Sequence, residues 1–123
     1  MASFRYIVSD VDSSVAFYCG LLGFSLKQQF GPAMAIVVLD DLQVWLAGPS
    51  ASASKPMPDG AQPQPGGWAR VVAPVQDIET TVSTLSNAGA KFRNQIVSGP
   101  GGKQILCEDP SGNVVELFQA SDE

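Results

Sequence analysis

The sequence predicts an α+β fold built from two β-α-β-β-β modules. The main observation is an internal repeat, in which residues 8–15 (VSDVDSSV) match residues 75–82 (VQDIETTV) in their pattern of apolar and polar positions. An apolar period typical of an amphipathic helix begins in both copies, and short segments with strand character lie on either side. One structural unit is therefore expected to occur twice.

The helices and strands of the two modules are expected in the same order. Asp10 and Asp77 precede the helical patterns, where a carboxylate can accept hydrogen bonds from the free amides of the first turn. Gly23 and Gly89 lie where the helices should end, because glycine adopts the left-handed conformation without a steric penalty. The predicted strands are 3–8, 24–30, 33–39 and 42–46 in the first module, and 68–75, 91–96, 103–108 and 114–118 in the second.

A segment without apolar periodicity separates the two modules. Residues 48–67 contain five of the nine prolines together with several glycines, a composition typical of a linker. A chain of 123 residues has the size of one domain. We therefore expect a single domain over 1–123, with module one at 1–47, the linker at 48–67 and module two at 68–123.

Composition and charge exclude several classes of function. A net charge of −5 and a pI near 4.4 disfavour binding to nucleic acid, because the surface repels phosphate groups. No apolar stretch approaches the roughly 20 residues that cross a bilayer, and the first ten residues lack the layout of a signal peptide. A cytoplasmic protein without nucleic-acid or membrane partners is expected.

The chain contains no histidine, which limits nucleophilic catalysis. Cys19 and Cys107 are expected to be free thiols, and neither has a histidine that could generate a thiolate. A Ser-His-Asp arrangement is impossible for the same reason.

Three segments together resemble the vicinal oxygen chelate superfamily, which groups glyoxalase I, extradiol dioxygenases, fosfomycin-modifying enzymes and bleomycin resistance proteins. The first segment is 11–24 (VDSSVAFYCGLLGF), the second combines 77–82 (DIETTV) with 88–92 (AGAKF), and the third is 109–118 (DPSGNVVELF). They occur in order over nearly the whole chain. The resemblance implies that the two modules form an incomplete barrel around a cleft, and that the protein forms a homodimer whose cleft can draw residues from both chains.

Metal-using members of this superfamily hold a divalent ion with histidine and glutamate side chains on four strands. The resemblance places Ser3, Trp45, Arg70 and Glu116 at these positions, so that only Glu116 matches the pattern. One carboxylate beside a guanidinium, an indole and a hydroxyl does not hold a divalent cation. We expect no metal and no other cofactor. The remaining acidic candidates lie at predicted turns, where their carboxylates are expected to face solvent: Asp40, Asp41, Glu108 and Asp109.

Strand alternation suggests which side chains would line a cleft without metal. If the ligand positions of the superfamily mark the cleft face, residues two positions away on the same strand share that face. The resulting mixture of indoles, charges and an amide suits a flat ligand with polar groups. The predicted ligand-binding residues are Arg5, Gln43, Trp45, Trp68, Arg70 and Glu116.

Three classes of function are compatible with this reading. The first is a metal-free small-molecule-binding protein of the glyoxalase and bleomycin-resistance type, which sequesters an aromatic natural product or drug. The second is a metal-independent isomerase or lyase acting on a carbonyl substrate, with Glu116 as the candidate catalytic base and Arg70 beside it. The third is a structural or regulatory module whose cleft is closed by its own side chains, above all Trp45 and Trp68.

Overall fold

Two α-helices and nine strands form the secondary structure of residues 2–121, which are the residues that the computed structural model describes. Residues 1, 122 and 123, which the predicted module boundaries include, lie outside the described residues. The order along the chain is β1 (Ser3–Ile7), α1 (Val11–Leu21), β2 (Ser25–Phe30), β3 (Met34–Leu39), β4 (Leu42–Ala47), β5 (Val72–Pro74), α2 (Ile78–Asn87), β6 (Lys91–Phe92), β7 (Val97–Gly99), β8 (Gly102–Glu108) and β9 (Val114–Ala120).

The two helices begin at the predicted aspartates. The side chain of Asp10 accepts a hydrogen bond from the amide of Ser13 at 2.8 Å, and Asp77 accepts one from the amide of Thr80 at 3.2 Å. These backbone hydrogen bonds lower the pKa of both carboxyl groups, because they stabilise the ionised form. Within residues 2–121, neither helix is long and apolar enough to cross a membrane.

Each module contributes one mixed sheet, and neither sheet closes into a barrel. The first has the strand order β1-β4-β3-β2, and the second has the order β5-β9-β8-β6, with β7 also paired to β8. In both sheets the first strand runs parallel to the last strand of its module, while the other pairs are antiparallel. The predicted α+β class and the open, curved arrangement are confirmed.

The strands of the second module differ from the prediction at two places. The predicted strand 68–75 is reduced to β5. Gly66 and Gly67, which directly precede the predicted strand, have positive φ angles. The predicted strand 91–96 is shortened to β6, and the unpredicted strand β7 begins only after its end. The pairing with β8 is interrupted where the side-chain oxygen of Asn94, instead of a backbone carbonyl, accepts the amide hydrogen of Leu106. The second module therefore has five strands, one more than predicted.

The segment 48–67 is anchored at both ends. Gly48 is buried, its amide donates to the carbonyl of Ala33 at 2.8 Å, and a Cβ at this position would lie 2.6 Å from the carbonyl oxygen of Pro32. A short 3-10 helix follows at Ser52–Ser54. At the other end, the amide of Gly66 donates to the side chain of Asn113 at 2.8 Å. Between these anchors, residues 55–62 are exposed.

A buried carboxylate connects the two modules. Asp109 is 4% exposed, which contradicts the expectation that it faces solvent. It accepts hydrogen bonds from the hydroxyl of Tyr18 at 2.9 Å, from the amides of Ser111 and Asn113 at 2.9 Å, and from the Asn113 side chain at 3.1 Å. The same Asn113 side chain donates to the carbonyl of Ile7 at 2.8 Å. The β8–β9 turn is thereby attached to both α1 and β1.

The hydroxyl of Tyr6 makes a second connection between the modules. It donates to the carbonyl of Val114 at 2.8 Å and accepts from the amide of Val71 at 2.9 Å. Burial raises the pKa of both Tyr6 and Tyr18, so these hydroxyls stay protonated and keep donating. Buried apolar side chains from both modules form one core around these bonds.

We expect the substitution Tyr18→Phe to lower the free energy of unfolding by about 1–3 kcal/mol, because it leaves the buried carboxylate of Asp109 one donor short. Chemical denaturation followed by circular dichroism measures this change. Ser83→Ala serves as the control, since it removes an exposed hydroxyl from α2. Equal stability of the two variants would contradict the role assigned to this hydrogen bond.

Candidate ligand-binding faces

The first group of predicted site residues lies on the open face of the first sheet. In the parallel pair of β1 and β4, Ser3 is opposite Gln43 and Arg5 is opposite Trp45. These side chains lie on the face opposite Tyr6 and the rest of the core, because successive side chains of a strand alternate between faces. The amide nitrogen of Gln43 donates to the Ser3 hydroxyl at 2.9 Å, and the Arg5 guanidinium carbon lies 4.9 Å from the centre of the Trp45 ring.

The second group lies on the second sheet and contains an ion pair. Nε and Nη2 of Arg70 both lie 3.0 Å from Oε1 of Glu116. Glu116 is only 8% exposed and is opposite Val72 in β5 and Leu106 in β8. A guanidinium that contacts a mostly buried carboxylate compensates much of the cost of removing that charge from water. The pair therefore stabilises this part of the sheet.

Trp68 lies beside the second group but outside any strand. It is 66% exposed, and its carbonyl accepts a hydrogen bond from Nη1 of Arg70 at 3.3 Å. The guanidinium carbon of Arg93 lies 4.6 Å from the centre of the indole ring. Nε of Arg93 is paired with Glu108 at 3.0 Å. Trp68 is thus a surface indole with a guanidinium against its ring.

The six predicted residues are therefore divided between the two sheets. Arg5, Gln43 and Trp45 are together on the first sheet, and Arg70, Glu116 and Trp68 are together at the second. Among residues 2–121, no hydrogen bond, ion pair or cation-π contact joins one group to the other.

Sequence reasoning missed two cationic residues that contact these groups. Lys27 donates to Oε1 of Gln43 at 3.2 Å, and Arg93 stacks on Trp68. Lys27 lies at a register shift between Leu26 and Gln28, where β2 has one residue more than β3. Strand alternation alone indicates only that Lys27 shares a face of β2 with Ser25. The bulge at Lys27, and with it the contact to Gln43, cannot be recognised from the sequence.

The side chains at the superfamily's metal-ligand positions do not fit a divalent cation. Glu116 is occupied by a guanidinium, the Ser3 hydroxyl accepts from Gln43, and the indole of Trp45 has no lone pair to offer. Within the described part of the chain, no three acidic or cysteine side chains are close enough to form an alternative site. A metal at this place would have to displace Arg70 from Glu116.

Several other groups that could carry chemistry are buried or engaged. Cys19 and Cys107 are free thiols, and burial raises the pKa of Cys107 to about 12. Burial also raises the pKa of Cys19, so neither forms a thiolate readily at neutral pH. The hydroxyls of Tyr6 and Tyr18 are held in the contacts between the modules and cannot reach a substrate.

A groove of about 530 Å³ lies apart from both groups, because none of its lining residues belongs to either. It runs between α1 and the segment Ala88–Lys91, and the β8–β9 turn forms its floor. Its volume is in the range of small-molecule sites, but it contains none of the six predicted residues.

The profile of the glyoxalase/bleomycin resistance protein/dioxygenase superfamily matches residues 1–117. The chain belongs to this superfamily. No curated protein sequence matches it.

Solved structures with the same fold cover almost the whole chain. A superfamily member from Sphaerobacter thermophilus is 29% identical, with a TM-score of 0.75 over 97% of this chain and 95% of that one. TnmS3, an antibiotic binding protein from Streptomyces sp. CB03234, is 26% identical, with a TM-score of 0.73 over 97% and 93%. Lactoylglutathione lyase from Agrobacterium tumefaciens has a TM-score of 0.75 over 97% and 92%, but at 15% identity it shows the fold alone.

We expect protein purified without chelator to contain far less than one equivalent of zinc, nickel, iron or manganese, because three of the four ligand positions offer no suitable donor. Elemental analysis by mass spectrometry measures the content. Glu108→Ala is the control for Glu116→Ala, since both remove a carboxylate that is paired with an arginine. One equivalent of metal that is lost only with Glu116→Ala would contradict the prediction.

Proposed function

We propose that this protein binds a small aromatic molecule, without a metal ion, and sequesters it. The observation that carries the proposal is the position of the two tryptophans. Neither belongs to the buried core, although tryptophan is among the more buried residue types on average. Trp45 is half-buried on the open face of the first sheet, and Trp68 is largely exposed beside the second. Exposed indoles offer flat surfaces on which an aromatic ring can stack.

The antibiotic binding protein TnmS3 supports this choice among the activities of the superfamily. It has the same fold and is 26% identical to this chain. The proposed ligand-binding set is the one deduced from the sequence, with Arg5, Gln43 and Trp45 on one sheet and Trp68, Arg70 and Glu116 at the other.

The two other classes of function have less support. A proton-transfer enzyme needs a base that can approach its substrate, whereas Glu116 is mostly buried and held by Arg70. A module closed by its own tryptophans needs both indoles to be packed, whereas Trp68 is 66% exposed.

We expect at least one compound from a panel of quinones, peptide antibiotics and other aromatic natural products to quench the tryptophan fluorescence saturably. Trp45→Leu and Trp68→Leu each leave one indole to report binding, and each should weaken affinity about threefold to tenfold, because indole stacking contributes roughly 0.5–1.5 kcal/mol beyond burial.

Phe30→Leu is the matched control, since it changes an aromatic side chain that is about half exposed at the end of β2. Its affinity should equal that of the unaltered protein. The proposal fails if no compound on the panel perturbs the fluorescence, or if both tryptophan variants bind as tightly as the control.

We also propose that a second copy of the chain packs against the second sheet, so that Trp68, Arg70 and Glu116 lie where the two copies meet and can still contact a bound ligand. Much of the open face of this sheet is apolar: Val72 and Val97 are 48% and 47% exposed, and Phe118 and Leu106 lie between them together with Gln104 and Glu116. Its central charges, Arg70 and Glu116, neutralise each other. Such a surface favours contact with another protein surface over contact with water.

We expect sedimentation equilibrium to give a mass of twice 12.9 kDa, and Val97→Glu to shift it towards the monomer, because the new carboxylate would be buried without a partner. Met57→Glu adds the same charge to an exposed apolar residue of the linker and should leave the mass unchanged. A monomeric unaltered protein, or equal effects of the two variants, would contradict this interface.

A further inference from the structure

The basic side chains of this acidic protein are divided into paired and unpaired sets. Arg70, Arg93 and Lys103 form ion pairs with Glu116, Glu108 and Glu79 at 3.0 Å. In the described range 2–121, the remaining basic residues have no carboxylate partner, although acidic residues outnumber basic ones by twelve to seven. Lys55 and Lys91 are exposed and lie on separate segments. Arg5 and Lys27 are different, because they share one face.

Gln43 links the positions of Arg5 and Lys27 on the first sheet. Nζ of Lys27 reaches from the bulge in β2 across β3 to Oε1 of Gln43 at 3.2 Å. The other end of this amide donates to Ser3, which lies two residues from Arg5 on the same face of β1. The amide is neutral, so it orients Lys27 without cancelling the charge. Two uncompensated positive charges are therefore fixed on one open surface.

The indole on this face also lacks a partner. Nε1 of Trp45 is buried and finds no hydrogen-bond acceptor among residues 2–121, while the guanidinium of Arg5 lies against the ring. A buried N–H without an acceptor is unfavourable, and most native structures avoid it. Two exposed cations without a carboxylate partner among residues 2–121 and one unsatisfied donor thus lie on the same sheet. An anionic oxygen bound on the open face would compensate the two exposed cations.

We propose that the open face of the first sheet binds a flat aromatic ligand that carries an anionic group, with Arg5 and Lys27 holding the charge and Trp45 contacting the ring. This inference rests on the proposed binding function and specifies the class of ligand. The second sheet does not compete for the anion, because Arg70 and Arg93 are already neutralised by glutamates. A carboxylate, sulfonate or phosphate on an aromatic ring has the required chemistry.

Two fluorescent probes that differ only in charge test the proposal. 1-Anilinonaphthalene-8-sulfonate carries one sulfonate, and N-phenyl-1-naphthylamine is the same ring system without it. We expect the sulfonate to bind the unaltered protein about tenfold more tightly than the neutral probe, because charge-assisted hydrogen bonds in a partly buried site have about this effect. The preference should decrease as salt is added, since part of it is Coulombic.

Matched variants test which basic side chains bind the sulfonate group. Arg5→Gln and Lys27→Gln change exposed side chains, and each should remove most of the preference for the sulfonate over the neutral probe. Lys27→Arg should retain the preference. Lys55→Gln removes the same charge from the exposed linker and should leave both affinities unchanged.

The outcomes separate this inference from the proposed function. Equal binding of the two probes, or a preference that survives in the double variant Arg5→Gln/Lys27→Gln, would overturn the anion site and leave aromatic binding standing. Saturable binding of neither probe would count against both. A preference that is lost with Arg5→Gln and Lys27→Gln but not with Lys55→Gln would establish the site.

Discussion

The carboxylate of Asp109 is the interaction on which the relative position of the two modules depends. A buried carboxylate is stable only when its oxygens are saturated with donors, and Asp109 has four of them. One comes from α1 in the first module, and the others come from the turn that precedes β9. Asn113 extends the network to β1. Because the same carboxylate accepts from α1 and from the β8–β9 turn, it holds the helix of one module against the turn of the other.

Much of the fold could be predicted because its signals are local. The repeat, the two aspartate caps and the apolar periods place both helices correctly, and the first four strands differ from the prediction by only one or two residues at their ends. The errors in the second module have non-local causes. Asn94 interrupts a strand by substituting its side chain for a backbone acceptor, and Asp109 is held against α1 by the hydroxyl of Tyr18, which is distant in sequence. Neither contact can be recognised from neighbouring residues.

The candidate site was less predictable than the fold, because it depends on which charges meet. Arg5 lies against Trp45 and Arg70 is paired with Glu116, and the sequence could not show that only the second of these contacts neutralises its cation. The role of Lys27 depends on a bulge, and that of Arg93 on a stack with Trp68. As a result, the first sheet presents unpaired charge and the second presents an apolar surface with its charges paired. The two open faces therefore differ in charge.

Each helix has its own aspartate cap, and this independence affects which parts of such a protein can change over evolutionary time. Each half carries its own start signal and its own sheet, as expected of a duplicated unit. Substitutions on the open face of β1, β2 and β4 can therefore change the chemistry of that face without removing any donor from the buried Asp109 network. The open faces of the two halves can diverge in this way, and they already differ, because Arg70 of the second half is paired with Glu116 while Arg5 of the first half lies against an indole.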